Sequence, residues 1–290
     1  MRKMRVLMAA VAIAPIVILS ACFPSIGDII GGGGGSAPAS VSGKWSIMLT
    51  SQNGSSNNVD LEANFSQSTG TISAAPAVIL SSSPCDVGTD SIDGTVKSNS
   101  IVFTLAFGGT DPVVTFSGSV SSDGLTMAGN YKLPKGGCSP ADSGTWVATK
   151  FGDSSGTYSG PLMSAVTGRT FNISAVVQED ASNDLQVTAN ITGGACGALN
   201  NMTGQAIGSI LQFQTADGLI SFAAQAPLPT YATLATEYAF TGETCGTEDN
   251  GSGTLTLNTS SAVRSTAKAQ ITPTMHALFE KARESLAASR

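Results

Sequence analysis

Leu185-Gln186-Val187-Thr188-Ala189-Asn190-Ile191-Thr192 alternates apolar and polar residues at every step. A chain with a period of two puts Leu185, Val187, Ala189 and Ile191 on one face, as a strand with one dry side does. The same period runs through Val59, Leu61, Ala63 and Phe65, set against Asp60, Glu62, Asn64 and Ser66. It returns in Leu125, Met127, Gly129, Tyr131 and Leu133, set against Thr126, Ala128, Asn130 and Lys132. Turn residues separate such runs, among them Ser68-Thr69-Gly70, Lys97-Ser98-Asn99, Ser122-Asp123-Gly124 and Ala216-Asp217-Gly218. Outward from these segments, the first half divides into eight strands near 43–51, 58–67, 71–80, 91–97, 100–107, 113–121, 125–133 and 143–150. The second half divides near 156–163, 169–179, 184–192, 202–207, 209–215, 219–226, 232–242 and 252–258. Short connections imply antiparallel up-and-down meanders. Eight strands of this kind close into a barrel, which removes the sticky edges; a two-sheet sandwich is the alternative.

The two halves are related. Gly43-Lys44-Trp45-Ser46 matches Gly156-Thr157-Tyr158-Ser159, and the run from Val59 to Gln67 matches Phe171 to Gln178. Cys85 matches Cys196. Cys138 followed by Asp142-Ser143-Gly144-Thr145-Trp146 matches Cys245 followed by Asn250-Gly251-Ser252-Gly253-Thr254-Leu255. Four cysteines allow three pairings, and the repeat selects Cys85–Cys138 and Cys196–Cys245, one disulfide per half. In each meander the bonded connections fall at one end, so the disulfide closes that end. A ligand would then enter from the other.

The remaining cysteine, Cys22, has a different setting. Arg2, Lys3 and Arg5 precede an apolar run, Val6 to Leu19, that is too short to span a bilayer and is flanked like an export signal. The run ends in Leu19-Ser20-Ala21-Cys22. This resembles the lipobox of bacterial lipoproteins. The resemblance implies cleavage before Cys22 and acyl chains on that residue, with Phe23 rather than Asp after it favouring the outer membrane. Several acyl chains anchor stably where one is marginal. Residues 1–21 are thus read as signal peptide and 22–42 as a lipidated tether containing Gly31-Gly32-Gly33-Gly34-Gly35. Such a stretch behaves as a flexible coil reaching about 25 Å. The barrels occupy 43–150 and 154–260, and 261–290 is a tail.

Gly43-x-Trp45 at the start of the first strand resembles the opening of lipocalins and their calycin relatives. That likeness implies a small barrel with Trp45 as its floor and a basic residue of the last strand against it. Lipocalins use Arg there; this chain has Lys150, and its second half has Tyr158 with no basic counterpart. Candidate core- or ligand-lining residues are Trp45, Phe65, Phe103, Phe116, Tyr131, Phe171, Phe213 and Phe222. Transmembrane barrels need aromatic girdles and strands of nine to eleven residues. Several strands here are shorter and aromatics are only 6% of the chain, so that reading is disfavoured.

Charge and composition narrow function further. Three of the 14 basic residues lie in the leader, which leaves 11 basic against 20 acidic residues in the mature chain. The tail from Arg264 is basic and the body before it acidic, which argues against a nucleic-acid partner. One His in the whole chain argues against Ser-His-Asp or multi-His zinc chemistry. Neither Asp86, Asp90 and Asp93 nor Glu248-Asp249-Asn250 has the EF-hand spacing; both read as turn residues. No cofactor or metal is expected, and no catalytic residue stands out. In the tail, Thr272-Pro273 opens a helix whose apolar stripe is Met275, Leu278, Phe279, Ala282 and Leu286, with His276 on its solvated side. Two classes of function remain: a structural or interaction lipoprotein working with envelope partners, or a barrel that carries a small apolar ligand.

Overall fold

The computed structural model describes residues 37–52, 59–80, 90–106, 113–136, 141–194, 196–227, 229–241, 245 and 248–258. Cys22, Cys85, Cys138 and the expected tail helix lie outside the described residues. Within them the chain is all β, with no α-helix.

Sixteen strands form two closed antiparallel barrels, each in simple sequence order. The first consists of β1 (Gly43–Ser51), β2 (Val59–Ser68), β3 (Thr71–Leu80), β4 (Asp90–Lys97), β5 (Ser100–Ala106), β6 (Val114–Val120), β7 (Thr126–Leu133) and β8 (Asp142–Phe151). The second consists of β9 (Gly156–Ser164), β10 (Thr170–Glu179), β11 (Asp184–Thr192), β12 (Ala198–Ile207), β13 (Ile210–Gln214), β14 (Ile220–Gln225), β15 (Thr233–Phe240) and β16 (Asp249–Leu257). Pairing of β1 with β8, from Lys44↔Phe151 to Ser51↔Gly144, closes the first. Pairing of β16 with β9 closes the second.

The alternation decides which face is inside. On β11 Leu185, Val187, Ala189 and Ile191 are buried and the residues between them exposed, and on β10 Phe171, Ile173, Ala175 and Val177 are buried while Asn172, Ser174 and Gln178 are exposed. Apolar side chains thus fill the lumens, the reverse of a membrane-spanning barrel with an aqueous interior. Turns form where expected. In Ser122-Asp123-Gly124 and Ala216-Asp217-Gly218 each Gly takes a left-handed φ (70° and 68°). Each Asp carboxylate accepts the N–H two residues on, from Leu125 and Leu219, the usual Asx device.

Three expectations need correction. Leu125 was assigned to the dry face, yet it precedes β7 and is exposed. β12 begins at Ala198 rather than 202 because Asn201 adopts a left-handed φ of 58°. The strand therefore passes through a bulge opposite Val187 and Ala189 instead of ending in a turn. The tether is also shorter than read. Ala39 donates to the Ser98 carbonyl; Val41 is fully buried and donates to Gln67 Oε1, while Gln67 Nε2 donates to the Ala39 carbonyl. Residues 39–41 thus form a strap from β1 towards the β4–β5 turn.

Candidate functional site

The first place to look for a ligand is the lumen. All eight aromatic candidates are buried: Trp45, Phe65, Phe103, Phe116 and Tyr131 in the first core, Phe171, Phe213 and Phe222 in the second. Their rings touch across the barrels. Phe65 on β2 meets Phe103 on β5 with centroids 5.7 Å apart, and Phe103 meets Trp146 on β8 at 5.4 Å. Those strands lie three apart in a ring of eight, so the contacts cross the lumen. In the second barrel Phe171 on β10 meets Tyr238 on β15 at 5.2 Å. An eight-strand barrel can enclose side chains or one small ligand; along these contacts the space holds rings.

The ends explain the repeat. At the opening end of the first barrel Trp45 Nε1 donates to the Val41 carbonyl at 2.8 Å. At the same place in the second, Tyr158 Oη donates to the Ser154 carbonyl, also at 2.8 Å. Lys150 Nζ lies 5.6 Å from the Trp45 ring centroid, the basic-residue-over-tryptophan arrangement that the lipocalin likeness implied. Burial holds the Lys150 ammonium below the usual lysine range. Leu257 occupies the matching place beside Gly156 and Tyr158. The end expected to admit a ligand is thus crossed in the first barrel by its own strap.

At the opposite end Tyr131 Oη donates to Asp142 Oδ2 and Ser51 Oγ donates to Asp142 Oδ1, each at 2.7 Å. The second barrel repeats this atom for atom: Tyr238 Oη donates to Asp249 Oδ2 at 3.1 Å and Ser164 Oγ donates to Asp249 Oδ1 at 2.6 Å. Burial, with the neighbouring carboxylate, pushes both phenols above their ordinary range. They therefore serve as hydrogen-bond donors to a carboxylate rather than as proton acceptors. This equivalence also corrects the repeat's register: Asp142 corresponds to Asp249, and Gly144 to Gly251. Asp249 is a lock on a buried tyrosine, not only a turn residue. Cys196 and Cys245 are joined at this end of the second barrel, as the repeat predicted; Cys85–Cys138 falls on undescribed residues.

Sequence reasoning missed the seam between the barrels. Glu62 and Asn64 sit on the polar face of β2, yet Glu62 is completely buried. Its carboxylate accepts the Ser209 N–H and the Ser209 hydroxyl, both at 2.7 Å, and pairs with the Ser46 hydroxyl. Asn64 donates to the Ala206 carbonyl at 2.6 Å and accepts the Gly208 N–H at 3.2 Å. The β12–β13 turn of the second barrel is thus plugged into β2 of the first. Gly208 is required there: its φ is +54°, and a Cβ would lie 1.9 Å from Glu62 Oε2.

A second cluster flanks the first. Lys44 and Glu179 form a buried ion pair. Glu179 also accepts the N–H and hydroxyl of Ser154, at 2.7 and 2.6 Å. Gln67 holds the Val41 N–H in the corresponding place of the first barrel. The charged residue in the second barrel therefore keeps the strap contact and adds a reach across the seam. Lys44 Nζ also lies 4.8 Å from the Tyr231 ring, and Tyr231 donates to the Gly208 carbonyl. Desolvation holds the Lys44 ammonium below the usual lysine range, against the opposing pull of Glu179. Burial drives the Glu62 carboxyl up to about 8, with nearby Asp60 adding to the push; Asp60 is itself raised by burial.

Chemically, this seam holds two barrels in a defined relation. Among the described residues no group of three or more His, Cys, Asp or Glu is placed to hold a metal ion. No protein-family model matches the chain, and no curated protein matches it. Among solved structures, one similar chain is a protein of unknown function of the DUF3598 family from Nostoc punctiforme. It is 12% identical, with 75% of this chain and 96% of that one covered at a TM-score of 0.21. At that score the likeness bears on neither fold nor function.

Proposed function

We propose that this chain is a lipid-anchored protein of the bacterial envelope with a structural or protein-interaction role and no enzymatic activity. The observation that carries the reading is the set of rings that meet across both lumens. Interior volume is spent on packing, which leaves the outer surface as the part that can work. The hydrogen bonds of the seam, joining Glu62 to Ser209 and Asn64 to Ala206 and Gly208, add to this, because they fix two outer surfaces relative to each other. Leu19-Ser20-Ala21-Cys22 supports acylation at Cys22, and Phe23 supports the outer membrane as destination. The acidic body favours a protein partner over nucleic acid.

A carrier role is the second reading, and the stacking of Lys150 over Trp45 favours it by likeness to lipocalins. Two measurements separate the readings. A clickable palmitate analogue should label the wild-type chain and not Cys22→Ser, and that variant should leave the membrane fraction. Native mass spectrometry of the detergent-extracted chain should then show the acylated mass alone. Membrane retention of Cys22→Ser would refute the anchor. A stoichiometric apolar adduct surviving in the unacylated variant would establish the carrier instead.

A further inference from the structure

The second barrel has an outer strip that does not behave as an outer surface. On β15, Leu234, Thr236, Tyr238 and Phe240 point inward, so Thr233, Ala235, Glu237 and Ala239 point out. These four are only 8%, 3%, 7% and 3% exposed. Ala223, beside Glu237 on β14, is 7% exposed. Outward residues of β10 and β11 (Asn172, Ser174, Gln186 and Thr188) are exposed, as the outside of a barrel should be. Full burial covers the outward positions of β15 and, on β14, Ala223. The strip's flanks, Gln212 and Gln214 on one side and Ser252 and Thr254 on the other, are half-buried. Beside Ala239 the ladder supplies Ser221 and Asn250, and beside Ala235 it supplies Gln225 and Thr254. Side chains standing in the same sheet do not fold over an alanine so completely. Nor does the barrel seam reach the whole strip. The seam gathers at the Tyr158 end, through Gly208, Ser209 and Tyr231, whereas Ala239 lies towards Asp249 and the disulfide end.

We propose that the C-terminal segment, residues 262–290, docks as an amphipathic helix along the outer face of β14 and β15. Three features select this occupant. The chain leaves β16 at Leu257, the strand paired with β15, so the segment starts beside the strip. A helix from Pro273 to Leu286 is about 14 residues and roughly 21 Å long, and β15 spans about 26 Å. Its stripe of Met275, Leu278, Phe279, Ala282 and Leu286 supplies large apolar side chains where the barrel supplies only small ones, the usual basis of helix-on-sheet packing. Charge agrees as well: Lys281 and Arg283 lie to either side of that stripe, and the strip they would flank carries Glu237. The tail is then part of the folded unit rather than a free arm, and envelope partners meet a surface other than this one.

The test uses the full mature chain with Cys22→Ser and an added Ala239→Cys or Ala223→Cys, with maleimide labelling located by peptide mass spectrometry. Met163→Cys, on an exposed position of β9, serves as the control. Position 239 should label at least 10-fold more slowly than position 163 in the full chain. Ending the chain at 261 should remove the difference, and so should Phe279→Asp in the full chain, while the circular-dichroism melt still shows folded barrels. Fast labelling of position 239 in the full chain would overturn the proposal. Protection that persists in both the truncated chain and Phe279→Asp would also overturn it, because something other than the tail would then cover the strip.

Discussion

Replacing Glu62 by Gln should make the first barrel more stable at neutral pH and flatten its pH dependence. Glu62 is fully buried, and its carboxyl is raised from an ordinary 4.5 to about 8 by desolvation. A folded value above the unfolded one means a contribution that is fully present below about 4.5. It is lost as pH rises through about 8. At 1.36 kcal/mol per unit, the loss at pH 7 is about 3 kcal/mol. Gln removes the titration and keeps the contacts: its carbonyl accepts the Ser209 N–H, and its amide can donate to the Ser209 or Ser46 hydroxyl. Both tryptophans, Trp45 and Trp146, lie in the first barrel, so their fluorescence follows that barrel alone during urea unfolding. With a slope of about 1–3 kcal/mol per molar, the midpoint of Glu62→Gln should exceed wild type by about 1–3 M at pH 7 to 8. The two should converge near pH 4.5. Parallel profiles between pH 4.5 and 8 would show that Glu62 is neither desolvated nor raised, and the seam as described would be wrong.

Three further outcomes follow from the same contacts. Lys44→Thr and Glu179→Gln should each cost about 3–5 kcal/mol by stranding a buried charge. The double variant, which copies Thr157 and Gln67 at the matching positions, should recover most of that loss, and additive losses in the cycle would refute the pair. Asp142→Asn and Asp249→Asn should each cost about 1–3 kcal/mol through the buried Tyr and Ser donors; only the first should move the tryptophan transition, and equal movement by both would deny that the networks are confined to their own barrels. Replacing Cys196 and Cys245 by Ala opens a loop whose ends are 49 residues apart, worth roughly 4 kcal/mol in the chain-entropy model; the far-UV melt should split while the tryptophan transition stays, and an unsplit melt would contradict this.

The strands, their number and their sharing into two meanders were legible because they rest on a local signal. Each alternating run reports its own dry face whatever lies beyond it, and fixed cysteine spacing carried the Cys196–Cys245 pairing. The Gly-x-Trp start pointed rightly to a floor residue beneath a basic side chain. The seam had no such signal. Glu62, Asn64 and Lys44 look like any solvent-facing members of an alternation. Their partners Ser209, Ala206 and Glu179 stand 147, 142 and 135 residues away. Period two says which face is outside the barrel but not whether another part of the molecule lies on it, and that also hid the burial of Ala235 and Ala239. The Tyr–Asp–Ser locks were concealed differently: matching glycines slid the repeat along β16, and only the hydrogen bonds at Asp142 and Asp249 fix its register. Local chemistry determined the barrels; long-range packing determined which polar groups left water, because desolvation depends on neighbours that no short window of sequence contains.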